Sequence, residues 1–364
     1  MLRFSIFRGM YKLFILFVLL NLVLIISSTA VRAENKELTL SKSINLALKN
    51  DLNLKLAKVN LDSSRINYSK NKASNLLAKS RYKRLNNELK LAEAKEDYRQ
   101  TKNELIISVV DNYLSLIEKE VDIKAKAKAA EYERQELKSI KIEVSRGERG
   151  YVDFLEQQTE YNTAIFDLKQ AKSEYYLLLK DIELQLGLDL EDRVKLTGIN
   201  KPKLVELTEK KALKKAVRNS MTLNLRKEYI ELAEFALQKT KVLDAPKLNL
   251  KESKINKEMA ELNYKKAAEN LKNRVKKKYH MLKQAIGILD LRKQQLNQVK
   301  ENYDIVKKQQ KAGLKTKNEL LLAENNFLNA KYNYQAAVTN YYLKQLQLQK
   351  VMGLEIEVLF DELL

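Results

Sequence analysis

Apolar residues recur at alternating steps of four and three between Gly147 and Gly187. Steps of this kind keep side chains on one face of an α-helix, and such a face buries against another helix. The stretch therefore predicts a long packed helix. Eight of its ten positions are apolar or aromatic, the full set being Phe154, Gln158, Tyr161, Ile165, Leu168, Lys172, Tyr175, Leu179, Ile182 and Leu186.

The same stretch occurs again, 166 residues later and without a gap, and an upstream block repeats at an offset of 169. The chain thus contains one unit of about 165 residues twice, and we expect two equivalent halves over 34–200 and 201–364. The corresponding face of the second copy, or seam, has more polar positions. This predicts a helix that is packed on more than one side. The matched residues include Gly147 and Gly313, Gly187 and Gly353, Tyr175 and Tyr341, Tyr113 and Tyr279, and Asn50 and Asn219.

Turn signals divide each half into helical segments. Residues 54–146 contain neither Gly nor Pro, and one helix of that length would measure about 140 Å. We expect a reversal within 69–80, where Ser and Asn cluster, and an equivalent one within 241–250 around Pro246. Further reversals are predicted at 147–152 and 313–318. The predicted fold is all-α, with two tandem copies of a long antiparallel helical hairpin.

Residues 1–33 are typical of a secretory signal rather than of the fold. Basic residues precede an apolar run from Leu13 to Ile26, and Val31 and Ala33 supply small side chains before a cleavage site. Fourteen residues are fewer than the roughly 20 that span a bilayer. We therefore expect an exported protein that is cut before Glu34.

Composition and charge narrow the class further. The 364 residues include only 8 Gly, 2 Pro and no Cys, which suits long helices without disulfides. Four of the 68 basic residues and none of the 47 acidic ones lie in the signal, which leaves a net charge of +17. This charge favours attraction to an anionic envelope surface. No nucleic-acid partner is expected, because Lys and Glu are interleaved around the helices and the signal takes the protein away from the nucleoid.

The sequence lacks the parts of an enzyme. His280 is the only histidine, so neither a dyad with a second histidine nor a multi-histidine zinc site can form. Its place on a helix beside Tyr279 favours a surface or packing role. The glycines are isolated and form no phosphate-binding loop. No catalytic residue, cofactor or metal is expected.

The candidate site residues are Gly147, Asp153, Gly313 and Glu319. Each glycine follows a basic helical run, as a glycine beyond a helix C-terminus does, and each acid lies six residues later in the first turn of a new helix. Two interpretations remain open for the acids. They stabilise a helix terminus only, or they also contribute to a surface that docks a partner.

The ordered features of the chain resemble the TolC-type outer-membrane efflux proteins. They are the opening LTLSKSINLALKNDLNLK, the tip glycine followed by Asp153-Phe154-Leu155-Glu156, the closing LQLGL and the near-duplication. The resemblance implies a homotrimeric helical tunnel across the periplasm, which links a periplasmic adaptor and an inner-membrane pump or secretion ATPase to the outer membrane. It places partner docking at Gly147 and Gly313 and a constricting acid at Glu319. A second acid of the family corresponds to Leu322 here.

One departure from that family concerns its outer-membrane hairpins. The intervals between Asn50 and Tyr113 and between Asn219 and Tyr279 are rich in Lys and Glu and lack strand alternation. We therefore expect the β-barrel strands to be absent or vestigial. An alternative function is an exported coiled-coil scaffold of an envelope complex that is not itself a channel.

Overall fold

The computed structural model describes residues 37–78, 80–188, 195–198 and 202–356. The predicted signal at residues 1–33 and part of the segment that joins the halves lie outside these ranges. Two units can be distinguished. In one, strands β1 (Glu37–Leu38) and β2 (Lys195–Leu196) pair in parallel, with Glu37 opposite Lys195.

The other unit has eight helices in its described residues, and its two halves follow the same order of short, medium, long and medium elements. The third and seventh are equally long, at 65 residues each. This all-α architecture is the predicted fold class. The helices are α1 (Leu40–Asn50), α2 (Leu52–Ala78), α3 (Arg81–Ser145), α4 (Tyr151–Leu186), α5 (Glu209–Asn219), α6 (Met221–Val242), α7 (Lys247–Lys311) and α8 (Lys317–Val351).

Hydroxyl side chains cap most helix N-termini. Thr39 caps α1, and its Oγ1 accepts the Lys42 amide at 3.1 Å. Thr208 repeats the contact at α5 with the Lys211 amide. Ser80, Ser220 and Thr316 cap α3, α6 and α8 in the same way. These caps satisfy amides that would otherwise lack a partner in the first turn.

Helix α3 packs against both α4 and α8, and α8 also packs against α7. Its contacts with α8 are antiparallel, since Glu136 meets Asn318 near one end and Glu104 meets Lys350 near the other. The order of packed long helices is thus α4, α3, α8, α7. The more polar seam of the second half lies on α8, which is held on two sides as expected.

Two matched tyrosines fasten the loop segments to the helices. Tyr113 on α3 is buried, and its hydroxyl donates to the Thr197 carbonyl at 2.8 Å. Tyr341 on α8 is also buried and donates to the Lys203 carbonyl at 2.8 Å. Burial of a Tyr ring requires a partner for its hydroxyl, and the loop carbonyls supply one.

The first predicted reversal is shorter than expected. Residues 69–78 continue α2, and α3 begins at Arg81. The polar residues there fit into the helix because Ser69 Oγ donates to the Arg65 carbonyl. The Asn75 carboxamide then bonds both the amide and the carbonyl of Ser80. The other reversals lie at 146–150, 243–246 and 312–316, within or beside the predicted segments.

The two lysine-rich intervals are helical in the part that the structure describes. Helices α2 and α3 occupy the first interval, and α6 and α7 occupy the second. In the described ranges no helix is both long enough and apolar enough to cross a membrane.

Candidate functional site

The two predicted reversals at 147–152 and 313–318, which we call the tips, have the same backbone conformation. Gly147 has φ +70° and Gly313 has φ +74°. At the first tip the Glu148 amide donates to the Glu143 carbonyl and the Gly147 amide to that of Val144. The second tip repeats both bonds, with Leu314 and Gly313 as donors. This double bond pattern ends a helix on a left-handed residue, the conformation that glycine adopts without strain.

Space around the tip glycines is open. A Cβ added to either Gly147 or Gly313 would find no atom within 4 Å. Glycine is therefore required there for its backbone angle and not for close packing. The surfaces next to both glycines are exposed, so a partner can reach them.

Both predicted carboxylates cap the helices that leave the tips. Asp153 Oδ2 accepts the Gly150 amide at 3.2 Å. Glu319 forms a reciprocal pair with Thr316: it accepts the Thr316 amide at 2.8 Å, while Thr316 Oγ1 accepts the Glu319 amide at 3.1 Å. The Lys315 ammonium, 2.5 Å from Glu319 Oε1, and the Thr316 amide lower the pKa of Glu319 to about 2.

The Glu319 cap should respond to acid. Its pKa is depressed in the folded protein, so its stabilising effect is complete above the ordinary value of 4.5 and is lost as the pH falls towards about 2. We expect the protection of the amides of the second tip against hydrogen exchange, relative to the intrinsic rate at each pH, to fall across that window. Glu319→Gln should already exchange faster at neutral pH, and exchange at the first tip serves as the control. Equal protection at pH 2.5 and pH 6 in the wild-type tip would contradict this.

Several exposed apolar side chains surround the tips and were not predicted as site residues. Tyr151 and Val152 begin α4, and Leu314 follows the second glycine. Leu322, which replaces the family's second acid, is also exposed. The sequence repeat did not reveal them, because it aligns Leu314 with Glu148 and Val152 with Asn318. The two tips therefore have the same backbone conformation but different surface side chains.

A second matched pair of glycines, Gly187 and Gly353, follows the C-termini of α4 and α8. The Asn50 carboxamide donates to the Leu186 carbonyl at 2.6 Å, and the Asn219 carboxamide donates to the Met352 carbonyl at 3.3 Å. Each asparagine thus binds the end of a later helix beside a left-handed glycine, Gly187 or Gly353. The duplicated Asn and Gly positions were visible in the sequence, but their pairing was not.

Ion pairs connect α3 to its two neighbours. Lys119 Nζ lies 2.5 Å from Glu174 on α4, and Lys128 Nζ lies 3.2 Å from Glu324 on α8. Burial between the helices raises the pKa of Glu118, which faces Thr339 and Tyr332. These contacts fix how the helices pack around α3, and they do not form a reaction centre.

His280 occupies the surface position that was expected. Its side chain is 70% exposed, with Nε2 3.5 Å from Glu209. Among the described residues no three His, Cys, Asp or Glu side chains are grouped as a metal site requires.

Comparison with known proteins confirms the resemblance to outer-membrane efflux proteins. Residues 243–354 match the family model "Outer membrane efflux protein". These residues include the second tip, Gly313 and Glu319. No curated protein sequence matches the chain.

Solved structures that share this fold include outer-membrane channels and a further membrane protein. A membrane protein from Pseudomonas aeruginosa superposes with a TM-score of 0.65 at 11% identity, over 86% of this chain and 90% of that one. The Campylobacter jejuni CmeC outer membrane channel gives 0.63 at 16% identity, over 88% and 86%. The open state of the Neisseria gonorrhoeae MtrE outer membrane channel gives 0.61 at 15% identity, over 87% and 89%.

Proposed function

We propose that this protein is an outer-membrane efflux protein that assembles as a homotrimer. In this function the trimer encloses the periplasmic helical conduit of a tripartite efflux or type I secretion system. The exported substrate passes through the helical tunnel, and the chain itself carries out no chemical reaction. The family match over 243–354 and the fold of the channel structures support this function.

The observation that carries the proposal is that both outer helices of the order α4, α3, α8, α7 are apolar on two opposite faces. At about 100° per residue, most of the exposed apolar residues of each helix lie on one stripe roughly half a turn from its buried face. The stripe on α4 is Leu155, Phe166, Leu177 and Leu184, and that on α7 is Ile255, Met259, Leu262, Ile288, Leu291 and Ile305.

A second copy can cover these stripes if its α7 packs against α4 of the first. Such a contact joins two different surfaces, and it closes into a ring when the rotation between copies returns to the start. Helix α2 extends the first surface, because it packs along the early part of α3 and exposes its own apolar stripe. That stripe is Leu52, Leu56, Val59 and Ile66.

The assembly is tested by its mass. Light scattering of the purified exported protein should give three copies, and negative-stain images should show a central opening. A monomer or a dimer without an opening would overturn the conduit.

Within this proposal the tips dock the periplasmic adaptor through Gly147, Asp153, Gly313 and Glu319. Their glycine backbones, the capped helix starts and the exposed Tyr151, Val152 and Leu314 form surfaces that a partner helix can contact. Both tips also lie on α3 or next to it, since Asn318 at the second tip donates to Glu136 of α3 at 2.7 Å.

Replacing both tip glycines with valine should weaken the adaptor complex. Valine at φ near +70° costs at least about 1 kcal/mol at each tip, so the loops change conformation. We expect at least about tenfold weaker binding. The matched control is Gly150→Val, since Gly150 has φ −76° and ψ 154°, which β-branched residues adopt. Adaptor capture that is unchanged by the double variant would argue against docking at the tips.

A second candidate function is an exported coiled-coil scaffold of an envelope complex. The pair of helices in each lysine-rich interval favours it, because helices then occupy the place where the family has hairpin strands. The mass measurement separates the two functions, as a scaffold needs neither three copies nor a central opening.

A further inference from the structure

The α2–α3 and α6–α7 reversals lie at one end of the helical unit. The guanidinium carbon of Arg81, the first residue of α3, is 5.7 Å from the ring centre of Phe235 on α6. The Tyr229 hydroxyl of α6 also donates to Glu93 of α3 at 2.7 Å. Because α3 and α7 both run antiparallel to α8, both begin at this end and finish at the glycine tips.

Large apolar side chains project from these reversals. Leu76 is 69% exposed, Val242 84% and Leu248 80%. Leu243, between α6 and α7, is exposed as well. Each lies in or within about three residues of a chain reversal.

The same end is strongly cationic. Residues 63–87 contain seven basic residues and no acid, and residues 235–251 contain four basic residues and one acid, Asp244. A recess of about 300 Å³ beside Leu76 is lined in part by Lys72 and Arg84. The basic residues are Arg65, Lys70, Lys72, Lys79, Arg81, Lys83 and Arg84 in the first range, and Lys239, Lys241, Lys247 and Lys251 in the second.

We propose that the two reversals together dock the protein on the surface of an anionic lipid bilayer. Leu76, Val242 and Leu248 enter the boundary between headgroups and acyl chains, and the surrounding cations pair with lipid phosphates. Apolar tips ringed by Lys and Arg are the combination that binds peripherally to such membranes. The docking end is opposite the glycine tips, so membrane and adaptor contacts do not compete. This inference does not depend on the proposed conduit.

The apolar residues distinguish a bilayer from a soluble polyanion. A cell-wall polymer would bind through charge alone and would gain nothing from Leu76, Val242 or Leu248. A bilayer also gains from removing these side chains from water. The three leucine and valine positions are therefore the decisive ones to change.

The test is co-sedimentation of the exported protein with vesicles, after its N-terminus has been read by mass spectrometry. Vesicles of phosphatidylcholine and phosphatidylglycerol at 3:1 are compared with phosphatidylcholine alone. The variant Leu76→Asn, Val242→Asn, Leu248→Asn should bind the mixed vesicles at least about tenfold more weakly. Replacing Arg84, Lys239 and Lys247 with Gln should weaken binding to the mixed vesicles about fivefold for each cation removed.

The control variant Tyr151→Asn, Val152→Asn, Leu314→Asn changes three residues at the glycine tips that are also more than 60% exposed, and it should bind the vesicles like the wild type. Circular dichroism confirms that each variant is folded. Equal vesicle binding by the Leu76 triple variant and the wild type would overturn the proposal. So would equal binding to neutral vesicles, or sedimentation with insoluble cell wall but not with vesicles.

Discussion

Gly353→Ala should lower the free energy of unfolding by at least about 3 kcal/mol, whereas Gly313→Ala should cost only about 1 kcal/mol. Both glycines have positive φ, at +70° and +74°, so both substitutions carry the same backbone penalty. The two positions differ in the room that is available for a Cβ atom. A Cβ at Gly353 would lie 2.7 Å from the Asn219 carbonyl oxygen, whereas one at Gly313 meets nothing within 4 Å.

The first half supplies a matched pair. A Cβ at Gly187 would lie 3.1 Å from the Asn50 carboxamide nitrogen, and a side chain can shift more easily than backbone. Gly187→Ala should therefore fall between Gly353→Ala and Gly147→Ala. Denaturant unfolding at one fixed protein concentration measures the series, because assembly would add to the apparent stability. Equal effects at all four positions would mean that backbone angle alone decides the cost.

Phe166→Glu combined with Leu177→Glu should dissociate the trimer and leave the single chain folded. Both side chains lie on the exposed stripe of α4, at 65% and 61% exposure, so neither contributes to the core of one chain. In the assembly each would be buried, and burial of such a side chain is worth about 1.5–3 kcal/mol. We expect the contact between copies to weaken at least about a hundredfold, with light scattering reporting monomers at micromolar concentration.

The control reverses two charges on other faces of the same helix, Glu160→Lys with Lys172→Glu. Both residues are exposed and lie roughly 100° or more from the stripe around α4. This variant should keep the mass of the wild type. If the Phe166→Glu, Leu177→Glu variant also kept the mass of the wild type, α4 would not be the surface that joins the copies.

Much of the fold could be predicted because its signals are local and occur twice. The four-and-three steps from Phe154 and the left-handed glycines Gly147 and Gly313 depend only on residues within one helix and its next turn. The tips accordingly fall where the sequence places them. The reversal near Ser80 was harder to locate, because polar Ser69 bonds its own helix and so does not end it.

The remaining features depend on residues that are distant in sequence. The Asn50 carboxamide reaches Leu186, and no periodicity relates those two positions. Likewise the sequence of α7 does not show which of its apolar residues are buried. Only the packing shows that Val275 and Leu282 are buried while Ile255 and Leu291 remain exposed. The docking end could not be predicted for the same reason, since it combines two reversals that are far apart in the chain.

The packing of α3 against α8 has a consequence for the order in which the chain matures. Helix α3 is synthesised early, yet the contacts from Glu136 to Asn318 and from Glu104 to Lys350 await a helix made about 180 to 250 residues later. Until then the face of α3 that receives α8 is uncovered. A chain truncated before α8 should therefore keep this face exposed and aggregate more readily than the complete protein.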